Sequence, residues 1–148
     1  MTTSFQIQQR IDAFPMMCRS AGLKVTPQRV AVFSMLVNTI EHPSPEEVYK
    51  EIRLVSPSIS LATVYKILDM FHLKGFIRRV STADQVTRYD ANLEKHHHLI
   101  CSSCGTIEDV SSPGHSIPEP EVVKKNGFKI VTSEIQYHGI CSRCAQKN

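Results

Sequence analysis

The chain has 148 residues, a formal net charge of +3, 41% hydrophobic residues, no Trp and five cysteines. That apolar content suffices for a packed core in one domain or two small ones, and no stretch approaches the ~20 apolar residues of a membrane-spanning helix. The N-terminal residues lack the charged start and apolar run of a secretory signal, so the cysteines are expected to stay reduced in the cytoplasm.

The charge is uneven. Residues 1–89 carry 11 Lys and Arg against 7 Asp and Glu, whereas residues 90–148 carry 6 against 7. The basic half is the one suited to a polyanion.

In chain order, a first helix is expected from about Ser4 to Ala21, with Gly22 as its stop and Pro15 as an internal kink or break. Cys18 within it reads as a small buried side chain. Thr26-Pro27 is a cap followed by proline at the first helical position, and Val30, Val32, Phe33, Leu36 and Val37 form the apolar stripe of a second helix. Ser44-Pro45-Glu46-Glu47 carries a capping box and opens a third, ended by Pro57. Ser60 opens a fourth, with Leu61, Val64, Ile67, Leu68, Phe71 and Leu73 inward and Gly75 as its stop. The period then shortens: 77–80 and 86–89 are β-prone runs forming a hairpin.

Capped helices followed by a two-stranded ribbon describe a winged helix-turn-helix over residues 1–89. The fourth helix is then the reader, offering Ala62, Thr63, Tyr65 and Lys66 to DNA, with Arg78, Arg79 and Arg88 of the wing reaching phosphates. A helical bundle with a merely solvated polar face is the alternative.

Residues 90–95 read as a hinge and 96–148 as a small α+β unit, so the fold class is α+β. Strands are expected at 99–101 and 106–110, a loop over Pro113–Pro120, a short helix from Glu121 to Asn126 stopped by Gly127, and a final strand or pair at 128–132 and 134–137. The Pro- and Ser-rich stretch Ser111–Pro120 has no assigned role.

Two C-x-x-C pairs, Cys101/Cys104 and Cys141/Cys144, supply four thiolates, the donor set of a closed structural zinc site. The 36 residues between the pairs are more than a zinc ribbon usually has, and a redox disulfide is the competing reading. A second donor group is harder. In a strand, His96 and His98 share a face and His97 points away. With His42, Asp90 and Asp109 they make a mixed imidazole–carboxylate set suited to Fe(II), Mn(II) or Zn(II), drawn from both halves of the chain, so that metal would fix the angle between them. His72, His115 and His138 read as ordinary polar residues.

Taken together, Thr26-Pro-Gln-Arg29, His42-Pro-Ser-Pro-Glu-Glu-Val-Tyr49, Ser60-Leu-Ala-Thr-Val-Tyr-Lys66, His96-His-His-Leu-Ile-Cys-Ser-Ser-Cys-Gly105 and Cys141-x-x-Cys144 resemble the ferric uptake regulator family over residues 10–146. The resemblance implies a homodimeric winged-helix repressor, not an enzyme. It would dimerise through its C-terminal domain, use Fe2+ or Mn2+ as corepressor, and bind a palindromic, A·T-rich double-stranded operator. Two aspartates among the donors match the peroxide-sensing branch of that family, which implies iron-driven oxidation of His42 or His96 by hydrogen peroxide and release of DNA. An iron, zinc or manganese uptake regulator that ignores peroxide is the alternative. Many iron sensors carry a further histidine near the position of Ser133, so an additional metal site is not expected. An iron oxygenase or hydrolase, and a storage or interaction module without DNA binding, are more distant readings.

Overall fold

A computed structural model describes residues 4–82, 86–111, 123, 126–131 and 133–147. The chain divides into two compact units, Met1–Leu93 and Glu94–Asn148.

The first unit contains α1 (Ser4–Ser20), α2 (Pro27–Asn38), α3 (Pro45–Val55), α4 (Leu61–Leu73), β1 (Arg78–Ser81) and β2 (Thr87–Asp90). The helix starts are set by local chemistry. Thr26 accepts from the Arg29 amide at α2. Ser44 and Glu47 complete a reciprocal capping box at α3. Ser60 accepts from the Thr63 amide at α4. Each such cap stabilises its helix by about 1 kcal/mol. Gly75, at φ 71°, ends the turn after α4 in the left-handed region that only glycine enters cheaply. α1 runs unbroken through Pro15. Its expected break is absent because Phe14 and Cys18, on either side of the proline, are buried at 1% and 0% exposure, so tertiary packing overrides the local penalty.

Aromatic packing organises this core. Phe14 stacks on Phe33 at 4.2 Å between centroids and meets Phe71 edge-on at 5.4 Å, both favourable geometries. α3 and α4 are joined by residues 56–60, and α4 buries Val64, Ile67, Leu68 and Phe71 while Ala62, Tyr65 and Lys66 are exposed. β1 and β2 pair antiparallel, Arg79 opposite Tyr89. This is the winged helix.

The second unit is a three-stranded sheet in the order β4-β3-β5, with β3 (His97–Cys101) central, β4 (Ile107–Val110) and β5 (Gln136–Gly139). β4 is antiparallel to β3 and β5 is parallel to it. α5 (Ser142–Ala145) is a single turn after Cys141. The last strand differs from expectation. Residues 128–131 are not in a strand, and β5 covers only 136–139. Phe128 and Val131 are 73% and 92% exposed, so this β-prone run lacks the buried face that would favour pairing. The expected loop at 113–120 and most of the helix at 121–126 lie outside the described residues; Val123 is helical and Gly127 has φ 64°.

Candidate metal centres and nucleic-acid face

The end of β3 delivers Cys101, the turn after it Cys104, and the start of α5 Cys141 and Cys144. One sulfur from each residue lies within 4.8 Å of all the others. Cys104 Sγ and Cys141 Sγ are 3.8 Å apart. Two thiolates at about 2.3 Å from a tetrahedral zinc would be separated by ~3.8 Å, whereas a disulfide needs about 2.05 Å. All four are free thiols. The surroundings of Cys101 and Cys104 favour the anionic form that zinc requires, whereas the neighbouring Cys141, Cys104 and Cys101 sulfurs push the Cys144 thiol up to about 11, a cost that a bound cation would offset. The Cys141 amide donates to Cys101 Sγ at 3.3 Å. That amide, with the Cys104 amide, lowers the Cys101 thiol to about 6. The Thr106 hydroxyl, 3.2 Å from Cys104 Sγ, lowers that thiol too. The residues therefore fit a closed zinc site.

The imidazole and carboxylate donors come from both units. In the second unit, His96 Nε2 lies 3.0 Å from His98 Nε2, and Asp109 Oδ1 lies 3.5 Å and 3.8 Å from those two nitrogens. The β3–β4 register places His98 directly opposite Asp109. His96 Nδ1 donates to the Glu94 carbonyl at 2.8 Å, which fixes the tautomer and leaves Nε2 as the donor to a metal. His97 points elsewhere and accepts from the Ile135 amide at 3.2 Å. Both imidazoles of the pair are buried, at 2% and 1% exposure.

In the first unit, His42 Nε2 lies 3.9 Å from Asp90 Oδ1. His42 Nδ1 donates to the Ile40 carbonyl at 3.1 Å, the same tautomer-fixing arrangement. His42 has φ 50°, a left-handed conformation uncommon for a residue with a side chain, which surrounding structure must hold in place. A mixed N/O donor set of this kind suits Fe(II), Mn(II) or Zn(II).

On α4, Ala62, Tyr65 and Lys66 are exposed and Thr63 is half-buried, with the Thr63 hydroxyl 2.8 Å from Ser60 Oγ. Tyr65 Oη donates to Glu46 Oε1 on α3 at 2.6 Å. The wing arginines are engaged within the unit. Arg78 donates to the Leu93 carbonyl at 2.7 Å. Arg79 pairs with Asp69 at 2.5 Å. Arg88 donates to Glu47 Oε2 and to the His42 carbonyl at 3.0 and 3.3 Å. These partners lie 10 to 46 residues away in sequence, and no local pattern announces them.

A winged helix with a four-thiolate cluster and imidazole–carboxylate donors defines a metal-binding transcription regulator. The model of the ferric uptake regulator family matches residues 20–144, and the chain belongs to that family. It is 33% identical over 129 residues to the peroxide operon regulator of Bacillus subtilis (strain 168), covering 87% of this chain and 89% of that one. Among solved structures, the ferric uptake regulator of Helicobacter pylori, described as having three functional metal-binding sites, superposes with a TM-score of 0.73 at 30% identity, covering 94% of this chain and 93% of that one. The peroxide stress regulator of Campylobacter jejuni superposes with a TM-score of 0.66 at 30% identity, covering 93% and 98%.

Proposed function

We propose that this protein is a metal-dependent transcriptional repressor that senses hydrogen peroxide. The observation that carries the reading is the Asp109 carboxylate lying 3.5 and 3.8 Å from the His96 and His98 nitrogens, together with a second aspartate, Asp90, beside His42. His42, Asp90, His96, His98 and Asp109 would hold one regulatory ion, iron or manganese, and Cys101, Cys104, Cys141 and Cys144 a structural zinc. Iron(II) held there would supply electrons to hydrogen peroxide, one oxygen of which would pass to an adjacent imidazole while the other leaves as water. Aspartate, one methylene shorter than glutamate, occupies less of the space around the ion and leaves peroxide room to approach. His42 and His96 are the imidazoles that would gain oxygen. Their loss as donors removes the tie between the DNA-reading unit and the second unit, and DNA is released. The ion shifts the protein toward its DNA-binding form only to the extent that this form binds it better.

DNA would be read by Ala62, Thr63, Tyr65 and Lys66 of α4 in the major groove of a palindromic, A·T-rich operator. Arg78 and Arg79 would reach phosphates by leaving Leu93 and Asp69. A homodimer matches the palindrome. Leu99 and Tyr137, cross-strand neighbours that are 43% and 48% exposed, offer apolar surface for it.

The test uses one sample of the Fe(II) form for two measurements. After stoichiometric peroxide, peptide mass spectrometry should find one added oxygen on His42 or His96, and operator binding should be lost. Unmodified histidines with DNA still bound would reject peroxide sensing. That result would leave an iron, zinc or manganese uptake regulator, the reading favoured by the superposition on the H. pylori protein. Equal operator affinity with and without Mn(II) would reject the corepressor role itself.

A further inference from the structure

We infer that Arg88 is a positioning residue for the regulatory ion, not a phosphate contact of the wing. This rests on the reading of His42 and Asp90 as ligands, and it assigns a role to a residue that is neither a ligand nor a DNA contact.

The loop before α3 carries His42 in a left-handed conformation, φ 50°. A non-glycine residue holds that geometry only where its surroundings determine it. Four hydrogen bonds do so, and three come from β2. The Tyr89 amide donates to the Pro43 carbonyl at 3.1 Å. Arg88 Nη1 donates to the His42 carbonyl at 3.3 Å and to Glu47 Oε2 at 3.0 Å. The same Glu47 oxygen accepts from the Ser44 amide at 2.7 Å. One guanidinium therefore joins the wing strand, the capping box that starts α3 and the peptide of His42. Two residues further along β2 stands Asp90, 3.9 Å from His42 Nε2. Strand β2 thus holds one proposed ligand through Arg88 and contributes another itself.

Arg88 is also badly placed for DNA. Its side chain is 17% exposed, and its Nε is buried with no hydrogen-bond partner. Leaving Glu47 and His42 for a phosphate would strip both of a charge-assisted contact. Partners behind metal ligands commonly change affinity by about 10- to 100-fold when removed. Glu47 serves the same brace from the other side and remains 56% exposed.

The test measures Mn(II) affinity by calorimetry, and operator affinity against salt at saturating Mn(II), for the full-length protein and Arg88→Gln, Glu47→Gln and His42→Ala. Arg88→Gln should weaken Mn(II) binding about tenfold or more and leave the slope of operator affinity against salt unchanged. Glu47→Gln keeps an oxygen for the Ser44 amide and should weaken Mn(II) binding in the same direction. It decides the matter if Arg88→Gln does not fold. Unchanged Mn(II) affinity with a salt slope smaller by about one would overturn the inference and return Arg88 to the phosphates. His42→Ala separates the two readings. If it weakens Mn(II) binding while the brace variants do not, only the positioning role fails. If it has no effect, the ligand assignment fails and the positioning role with it.

Discussion

Tyr65 Oη donates to Glu46 Oε1 at 2.6 Å, tying the exposed ring of α4 to the first turn of α3. The phenol that would face a base edge is thus aimed by a carboxylate nineteen residues earlier. The bond lowers the Glu46 carboxyl and raises the Tyr65 phenol from their usual values. The lowered carboxyl contributes stability above about pH 4, lost as pH falls; the raised phenol contributes below about pH 10, lost as pH rises. Glu46→Gln should therefore lower the midpoint of one tyrosine in an ultraviolet titration, and Tyr65→Phe should remove that transition. Specific operator binding should drop several-fold relative to random DNA in Glu46→Ala, because the ring is no longer held. An unchanged ratio would mean that Tyr65 does not read sequence.

The thiolate cluster predicts zinc-dependent folding of the second unit. Cys104→Ser should abolish stoichiometric zinc, read by elemental analysis. It should also melt the β3–β5 pairing, read as loss of amide protection at His98 and Ser102, which donate to the Ile135 and Gly139 carbonyls. Structural zinc in small domains contributes on the order of 10 kcal/mol. Full protection in the zinc-free variant would contradict a structural role.

Asp109→Glu should retain Mn(II) binding and lose most of the histidine oxidation that the proposed function assigns to Fe(II) and peroxide. The longer side chain keeps the charge but would bring its carboxylate further toward a bound ion and would crowd the approach of peroxide. Oxidation equal to that of the unsubstituted protein would remove the argument from side-chain length.

Pro15→Ala should stabilise the first unit. A proline in a helix interior costs about 3 kcal/mol relative to alanine, part of which is returned by the stiffer unfolded chain. A net gain of about 1–2 kcal/mol should appear as a higher thermal midpoint. No gain would show that α1 is adapted to the ring.

Local signals carried far in this sequence. Thr26, Ser44 and Ser60 cap helices because a hydroxyl satisfies an otherwise unbonded amide, and each is legible within four residues. The alternation of a strand was enough to separate His96 and His98 from His97. Interactions set by long-range packing were not legible. The parallel pairing of β5 with β3 joins residues nearly forty apart and leaves no local trace. Phe128–Val131 has strand composition but no surface to cover, and the partners of Arg78, Arg79 and Arg88 depend on how the hairpin folds back. Those arginines look alike as sequence, yet their chemistry is decided by a backbone carbonyl, by Asp69, and by Glu47 with the His42 peptide.

β3 carries Cys101 at one end and His98 three residues before it, about 10 Å away along a strand. Thiolate chemistry at Cys101 therefore acts as a register lock for the imidazoles. A slip of one residue would turn His97 to the face of Asp109 and carry His96 and His98 to the opposite side. Damage at the sulfurs would then dismantle the imidazole–carboxylate cluster without any reaction at its histidines.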